Sequence, residues 1–259
     1  MAQAIERLLA TPMINPRLPC MSVPFGGAIS GAESGMSGIS VGDFGQGPVG
    51  GIEYSKHQVR QHDGGFKLAD DPFEIFGEWF AQAAESEPSD PNAMTLATAD
   101  ESGRPAARTV LLKAWDRDGF VFYGNLGSRK GRHLGGNAQA ALLFYWKSQY
   151  RQIRIEGAVT PVSETQADAY FASRPRGSQL GAWASDQSQE LASRELFEAK
   201  VSEAEARFQG PQIPRPEFWS GWRVTPDYFE FWQGQNFRLH DRLTFTKAAT
   251  GWVPGRLYP

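Results

Sequence analysis

The chain has 259 residues, 41% hydrophobic and 21% charged, with 26 Lys and Arg against 29 Asp and Glu for a formal net charge of −3. That is the size of one ordinary domain, or of one domain with a tail. A near-neutral balance argues against nucleic acid, whose binders carry a basic excess. The single Cys20 excludes an internal disulfide and a cysteine cluster for zinc or iron–sulfur, and four scattered histidines (57, 62, 133 and 240) argue against a histidine-rich site, so no metal is expected. No apolar run nears the ~18 residues of a membrane span. The start, MAQAIERLLATPM, lacks the basic and apolar regions of a secretory signal. The expectation is a soluble, cytoplasmic protein.

In chain order, a short helix is expected over residues 2–10. Residues 22–51 then hold ten of the 28 glycines, few charges and no period, which reads as a flexible extension reaching to about residue 55. The globular domain is placed at 56–259. Order is expected from Asp71-Pro72, where PFEIFGEWFAQAAES sets Phe73, Phe76, Trp79 and Phe80 at helical spacing. Short strand-like runs follow: MTLAT (94–98), ARTVLLKAW (107–115), GFVFYGN (119–125), AALLFYW (140–146) and RQIRIEGAVTPV (151–162), several divided by turn chemistry. SRKGRHLGGN reads as a short helix closed by glycines, and SETQADAYFASRP as a helix capped by Ser163. ELASRELFEAKVSEAEARF reads as the clearest amphipathic helix. The end returns to strand in FWSGWRV, YFEFWQ, RLTFTK and GWV. Strands in meander order with helices inserted late predict an α+β, mainly β, antiparallel barrel with flanking helices. No GxGxxG follows a strand, so a Rossmann site is not supported.

Basic side chains lie within apolar segments. Arg108 and Lys113 are five apart, so on a regular strand they face opposite ways unless a bend intervenes; solvated edge charges are the alternative. Ser128, Arg129 and Lys130 enter a helix, where backbone N–H groups and two cations suit a phosphate, although a basic helix start also occurs on plain surfaces. Gln152 and Arg154 share one face of their strand, opposite Ile153 and Ile155. Tyr170, Arg174 and Ser178 recur at i, i+4 and i+8, with Pro175 turning the chain at a helix end; such a set suits a phosphate dianion, the alternative being Arg174 facing its own helix dipole. Arg238, His240 and Arg242 alternate and so share a strand face with Asp241 opposite, a grouping that predicts a bound anion.

The runs RTVLLK, FYGNLGSRK, RPRGSQLGAWASDQS, EFWQG and RLHDR, with the terminal RLYP, resemble the pyridoxine (pyridoxamine) 5′-phosphate oxidase family, in order from about Asp71 to Pro259. The resemblance implies a homodimer of FMN-binding split β-barrel subunits with two FMN at the interface. It implies oxidation of pyridoxine or pyridoxamine 5′-phosphate to pyridoxal 5′-phosphate, by hydride transfer from the substrate C4′ to flavin N5, with O₂ reduced to H₂O₂. By position, the implied FMN contacts are Arg108, Thr109, Val110, Leu111, Leu112 and Lys113, then Tyr123 and Gly124, Arg129 and Lys130, Gln152, Gln187 and Ser188, Trp232 and Arg242. The implied substrate contacts are Lys113, Tyr170, Arg174 and Ser178 at the phosphate and Arg238, Leu239 and His240 over the pyridine ring. Arg238 and His240 are implied to hold that ring in a near-attack pose, the flavin doing the redox chemistry. There are two departures. Gly124 stands where the family usually has a hydroxyl residue. The basic N-terminal stretch is only faintly echoed by GIEYSK (51–56), which weakens any lid role for Tyr54.

Two other readings compete: a split-barrel flavin reductase of another substrate, and a non-catalytic binder of FMN or pyridoxal 5′-phosphate. The RPRGSQ and RLHDR runs argue against the reductase, and reduction of the flavin by substrate separates the oxidase from the binder.

Overall fold

The computed structural model describes residues 71–259. The helix expected over 2–10, the glycine-rich extension, Tyr54 and the boundary at 55/56 lie outside the described residues.

Helix α1 (Pro72–Ser86) starts where Asp71 accepts a hydrogen bond from the Phe73 N–H and Pro72 takes the first turn. Its apolar face buries Phe73, Ile75, Phe76, Trp79 and Ala83. The Phe76 ring lies 4.8 Å from Phe120, 5.0 Å from Trp115 and 5.4 Å from Phe144, tying the helix to three strands. Burial of each such side chain contributes roughly 1.5–3 kcal/mol.

Strands β1 (Ala93–Ala99), β2 (Pro105–Leu111), β3 (Ala114–Asp116) and β4 (Gly119–Asn125) lead to helix α2 (Arg129–Gly136). Then come β5 (Gln139–Trp146), β6 (Arg151–Pro161), and helices α3 (Glu164–Ser173), α4 (Arg176–Ala184) and α5 (Arg194–Arg207). Strands β7 (Trp219–Gln233), β8 (Asp241–Lys247) and β9 (Trp252–Arg256) finish the chain. All pairings are antiparallel, in the order β2-β1-β5-β6-β7-β4-β3, with β8 and β9 continuing from β7. The two ends of this path, β2 and β3, are joined by Leu112 and Lys113 alone. Leu112 N–H donates to Asn92 on the β1 side, whereas Lys113 N–H donates to Val121 of β4. The sheet therefore curls until its edges meet at this link, around a core that includes Phe76, Leu96, Phe120, Phe144, Ile155 and Phe231. This is the mainly β split barrel with flanking helices.

Four expected elements change. ARTVLLKAW is two strands, broken at the seam. FWSGWRV and YFEFWQ are one strand, β7, running through Pro226. That proline pairs with Gly157 beside the register shift between Glu156 and Gly157, where the ladder is already interrupted. Pro175 does not simply end a helix in a turn: it caps α4, so α3 and α4 meet at Arg174-Pro175. Helix α5 buries only Ala204, so the strong amphipathicity expected of it is absent.

Candidate active site

A cavity of about 940 Å³ opens where β2, β4, the start of α2 and the α3–α4 corner converge. Five of its lining side chains are cationic (Arg108, Lys113, Arg129, Lys130 and Arg174), and none is acidic. The break at Leu112 puts Arg108 and Lys113, five residues apart, into the same cavity; Leu112 itself is buried in the core. Thr109, Val110, Leu111, Tyr123, Gly124, Gln187 and Ser188 also line it, as do Tyr170 and Ser178.

The cations fall into two groups. In the first, burial and the nearby Arg129 lower the pKa of Arg108. Lys130 is pushed down to about 8, by burial and then by Arg108. Its ammonium donates to Ser128 Oγ (3.0 Å) and Gln187 Oε1 (2.5 Å). Gly124 makes room for it: a Cβ there would lie 2.7 Å from Lys130 Cε and 2.8 Å from Nζ. Ser128 caps α2 by accepting from the Gly131 N–H. In the second group, burial lowers Lys113, with Arg174 adding to the effect and Asp90 opposing it. Burial likewise lowers Arg174 and raises the Tyr170 phenol. The Arg174 guanidinium lies 4.7 Å over the Trp219 ring, and its Nη1 is buried without a hydrogen-bond partner. A buried guanidinium nitrogen left unpaired is costly, and an anion in the cavity would satisfy it. Two desolvated cation groups in one space suit anionic ligand groups.

The remaining site residues of the sequence reading do not line this cavity. Gln152, Trp232 and Arg242 are cross-strand neighbours on β6, β7 and β8. Arg242 does not continue a regular strand face with Arg238 and His240, because β8 begins only at Asp241. It donates through Nε to Glu230 (2.7 Å), a buried carboxylate that also pairs with Arg154 (2.8 Å). The counter-ion at this position is thus part of the protein. Arg238 closes a 3-10 turn, Asn236–Arg238, so the expected alternation fails before β8 begins. Phe237 and Arg238 take φ of 57° and 62°, a left-handed conformation disfavoured for non-glycine residues. The Gln235 N–H donates to His240 Nδ1 (3.1 Å), so the neutral ring carries its proton on Nε2. Burial and Arg238 lower the His240 pKa, which favours that neutral form.

Sequence reasoning missed Asn125, Ser185, Phe197 and Trp219 as wall residues. Asn125 has a local signal, an Asx-type turn in which Oδ1 accepts from the Gly127 N–H. Its Nδ2 bond to Ser185 O spans 60 residues and has none.

The fold and site together define a split-barrel protein with a cation-lined, carboxylate-free cavity. Comparison with known proteins narrows the class. Residues 80–208 match the family "Pyridoxamine 5'-phosphate oxidase", and residues 219–259 match the "Pyridoxine 5'-phosphate oxidase C-terminal dimerisation region". The pyridoxine/pyridoxamine 5'-phosphate oxidase of Sphingopyxis alaskensis is 59% identical over 193 residues, 74% of this chain and 89% of the relative. That of Rhodopseudomonas palustris strain HaA2 is 54% identical over 206 residues, 79% and 97%. Among solved structures, PhzG from Burkholderia lata 383, in complex with tetrahydrophenazine-1-carboxylic acid, is 33% identical with a TM-score of 0.70, covering 74% of this chain and 95% of its own. A pyridoxamine 5'-phosphate oxidase-related, FMN binding protein from Nostoc punctiforme PCC 73102 shares the fold at 17% identity and a TM-score of 0.59, over 75% of this chain and 100% of its own. The chain belongs to the pyridoxine/pyridoxamine 5′-phosphate oxidase family and is an enzyme, an oxidoreductase. Among the described residues no helix is long and apolar enough to cross a membrane.

Proposed function

We propose that the chain is an FMN-dependent oxidase. It converts pyridoxine 5′-phosphate and, with water taken up and ammonia released, pyridoxamine 5′-phosphate to pyridoxal 5′-phosphate and reduces O₂ to H₂O₂, working as a homodimer with two FMN at the interface. The observation that carries the reading is the pair of cation groups in one carboxylate-free cavity, the second holding an unpaired buried Arg174 nitrogen. Arg108, Arg129 and Lys130, with Gln187 and Ser188, take the FMN phosphate. Lys113, Tyr170, Arg174 and Ser178 take the substrate phosphate.

FMN, when bound, would supply the redox chemistry, as a two-electron acceptor for the substrate C4′ that O₂ reoxidises. The chain's own work is to bind and orient. Charge-assisted donors fix each phosphate, and the end of β2 with the Leu112–Lys113 link connects the two cation groups. His240 offers an Nε2–H donor beside the Arg238 guanidinium for the substrate ring. These two, with Leu239, Gln152, Trp232 and Arg242, lie outside the cavity of their own chain, which agrees with a site completed by a second copy. Phe237 and Tyr258 are 92% and 93% exposed within the dimerisation region, apolar surface for that copy to cover.

The test is turnover of the flavin-loaded protein with each substrate, reading aldehyde and H₂O₂ together. Equal formation of both products supports the reading, and no aldehyde from either substrate overturns it. The likeness to PhzG favours a second reading, oxidation of a reduced tricyclic carboxylic acid whose carboxylate meets Arg174. Running such an acid in the same assay decides between them.

A further inference from the structure

Two buried side chains behind the cavity wall join the cations of the first group. Arg108 lies opposite Leu96 in the β1–β2 register. Its side chain folds back over β1, and Nη1 donates to Leu96 O (3.0 Å) and Thr98 Oγ1 (2.7 Å). Thr98 Oγ1 is 3.2 Å from His133 Nδ1, and Arg129 Nε donates to His133 Nε2 (3.4 Å). Thr98 and His133 are 4% and 6% exposed, and neither lines the cavity.

The donor inventory fixes the direction of the chain. Arginine only donates, so His133 Nε2 must present its lone pair to Arg129. The imidazole proton then sits on Nδ1 and donates to Thr98 Oγ1, which also accepts from Arg108. A neutral imidazole and a hydroxyl thus bridge two guanidinium groups that repel one another. Both Nη1 hydrogens of Arg108 are engaged inward, leaving Nε and Nη2 to face an anion.

We propose that Thr98 and His133 are positioning residues, a buried hydroxyl–imidazole bridge that holds Arg108 and Arg129 at the spacing one phosphate dianion requires. The inference rests on the reading that this cation group takes the FMN phosphate. The bridge orders both arginines before the ligand arrives, so binding does not have to immobilise them.

The test compares FMN with riboflavin, the same ring without the phosphate, by quenching of flavin fluorescence on titration with apoprotein. Thr98→Val and His133→Leu each weaken FMN binding by about tenfold, the loss of one hydrogen bond to a charged group. Riboflavin affinity stays within about twofold, the scatter of independent sites. Thr98→Ser restores the hydroxyl and recovers FMN affinity. Equal weakening of both flavins shows a merely structural role and overturns the proposal, as does unchanged FMN affinity. Thermal melting of each apoprotein identifies a variant that fails to fold; if His133→Leu does so, the Thr98→Val and Thr98→Ser pair decides. Arg108→Ala is the control. If it leaves the ratio of FMN to riboflavin affinity unchanged, the phosphate reading itself falls. If it alters the ratio while Thr98→Val does not, only the bridge falls.

Discussion

Arg108 and Arg238 carry the same charge but are given different ligands, and that difference can be measured. Arg108→Ala removes a charged donor from a bound dianion, a loss of about 1.5–3 kcal/mol, or on the order of tenfold to a hundredfold in FMN affinity. Excess FMN restores its activity. Arg238→Ala keeps FMN and loses kcat/KM for pyridoxine 5′-phosphate, and added FMN does not restore it. Flavin fluorescence and steady-state kinetics check both; if Arg238→Ala sheds FMN while Arg108→Ala retains it, the division of the site is wrong. Lys130 gives a pH signature. Burial holds its pKa near 8, so above that pH the free protein loses the ammonium that the phosphate favours. FMN affinity therefore falls as pH rises through about 8, by at most tenfold per unit for one proton. Lys130→Arg stays charged and flattens the profile; an unchanged slope in that variant removes Lys130 from the phosphate. At this scale the sequence showed the cations in their short motifs. It did not show Trp219 beneath Arg174 or Glu230 beneath Arg242, because those contacts join segments 45 and 12 residues apart through the tertiary fold.

Elements were legible where apolar residues alternate, as in β6, whose burial alternates between the barrel side of Ile153 and Ile155 and the outer side of Gln152 and Arg154. They were misread where a local rule meets a long-range pairing. Pro226 looks like a strand breaker, yet it faces the bulge at Gly157. Leu112 and Lys113 look like the middle of a strand, yet they are the seam where the barrel edges meet. Two substitutions test these elements. A Cβ at Gly157 would lie 2.0 Å from the Thr225 carbonyl oxygen and 2.9 Å from Pro226 Cα, both backbone atoms of β7, so Gly157→Ala forces β6 and β7 apart. Its melting temperature should drop well below that of a surface Gly→Ala control, such as Gly177→Ala, where nothing lies within 4 Å. Equal melting temperatures would show that the close approach is not required. Phe76, fully buried among four aromatic rings, costs about 3–5 kcal/mol when cut to Ala. Denaturant unfolding measures that loss, and a cost below about 1 kcal/mol, the range of a surface change, would detach α1 from the core.

For the whole molecule, residues given to one site occupy two places on one protomer: the cavity, and the β6–β8 surface with its 236–240 turn. In a two-fold homodimer, a lesion in each place can be separated. Mixing Arg108→Ala chains with Arg242→Ala chains gives heterodimers with one doubly altered site and one intact site. Random exchange therefore returns about a quarter of the sites to the parent form. Recovery of activity at limiting FMN on mixing supports a site shared between chains; no recovery places both residues in one chain's site. The oxidase assignment itself is tested most directly by adding pyridoxamine 5′-phosphate to the flavin-loaded protein without oxygen and following the flavin's visible absorption. The account predicts that the yellow colour bleaches and returns when O₂ is admitted, with H₂O₂ and pyridoxal 5′-phosphate formed. A protein that binds the substrate and stays yellow would contradict it.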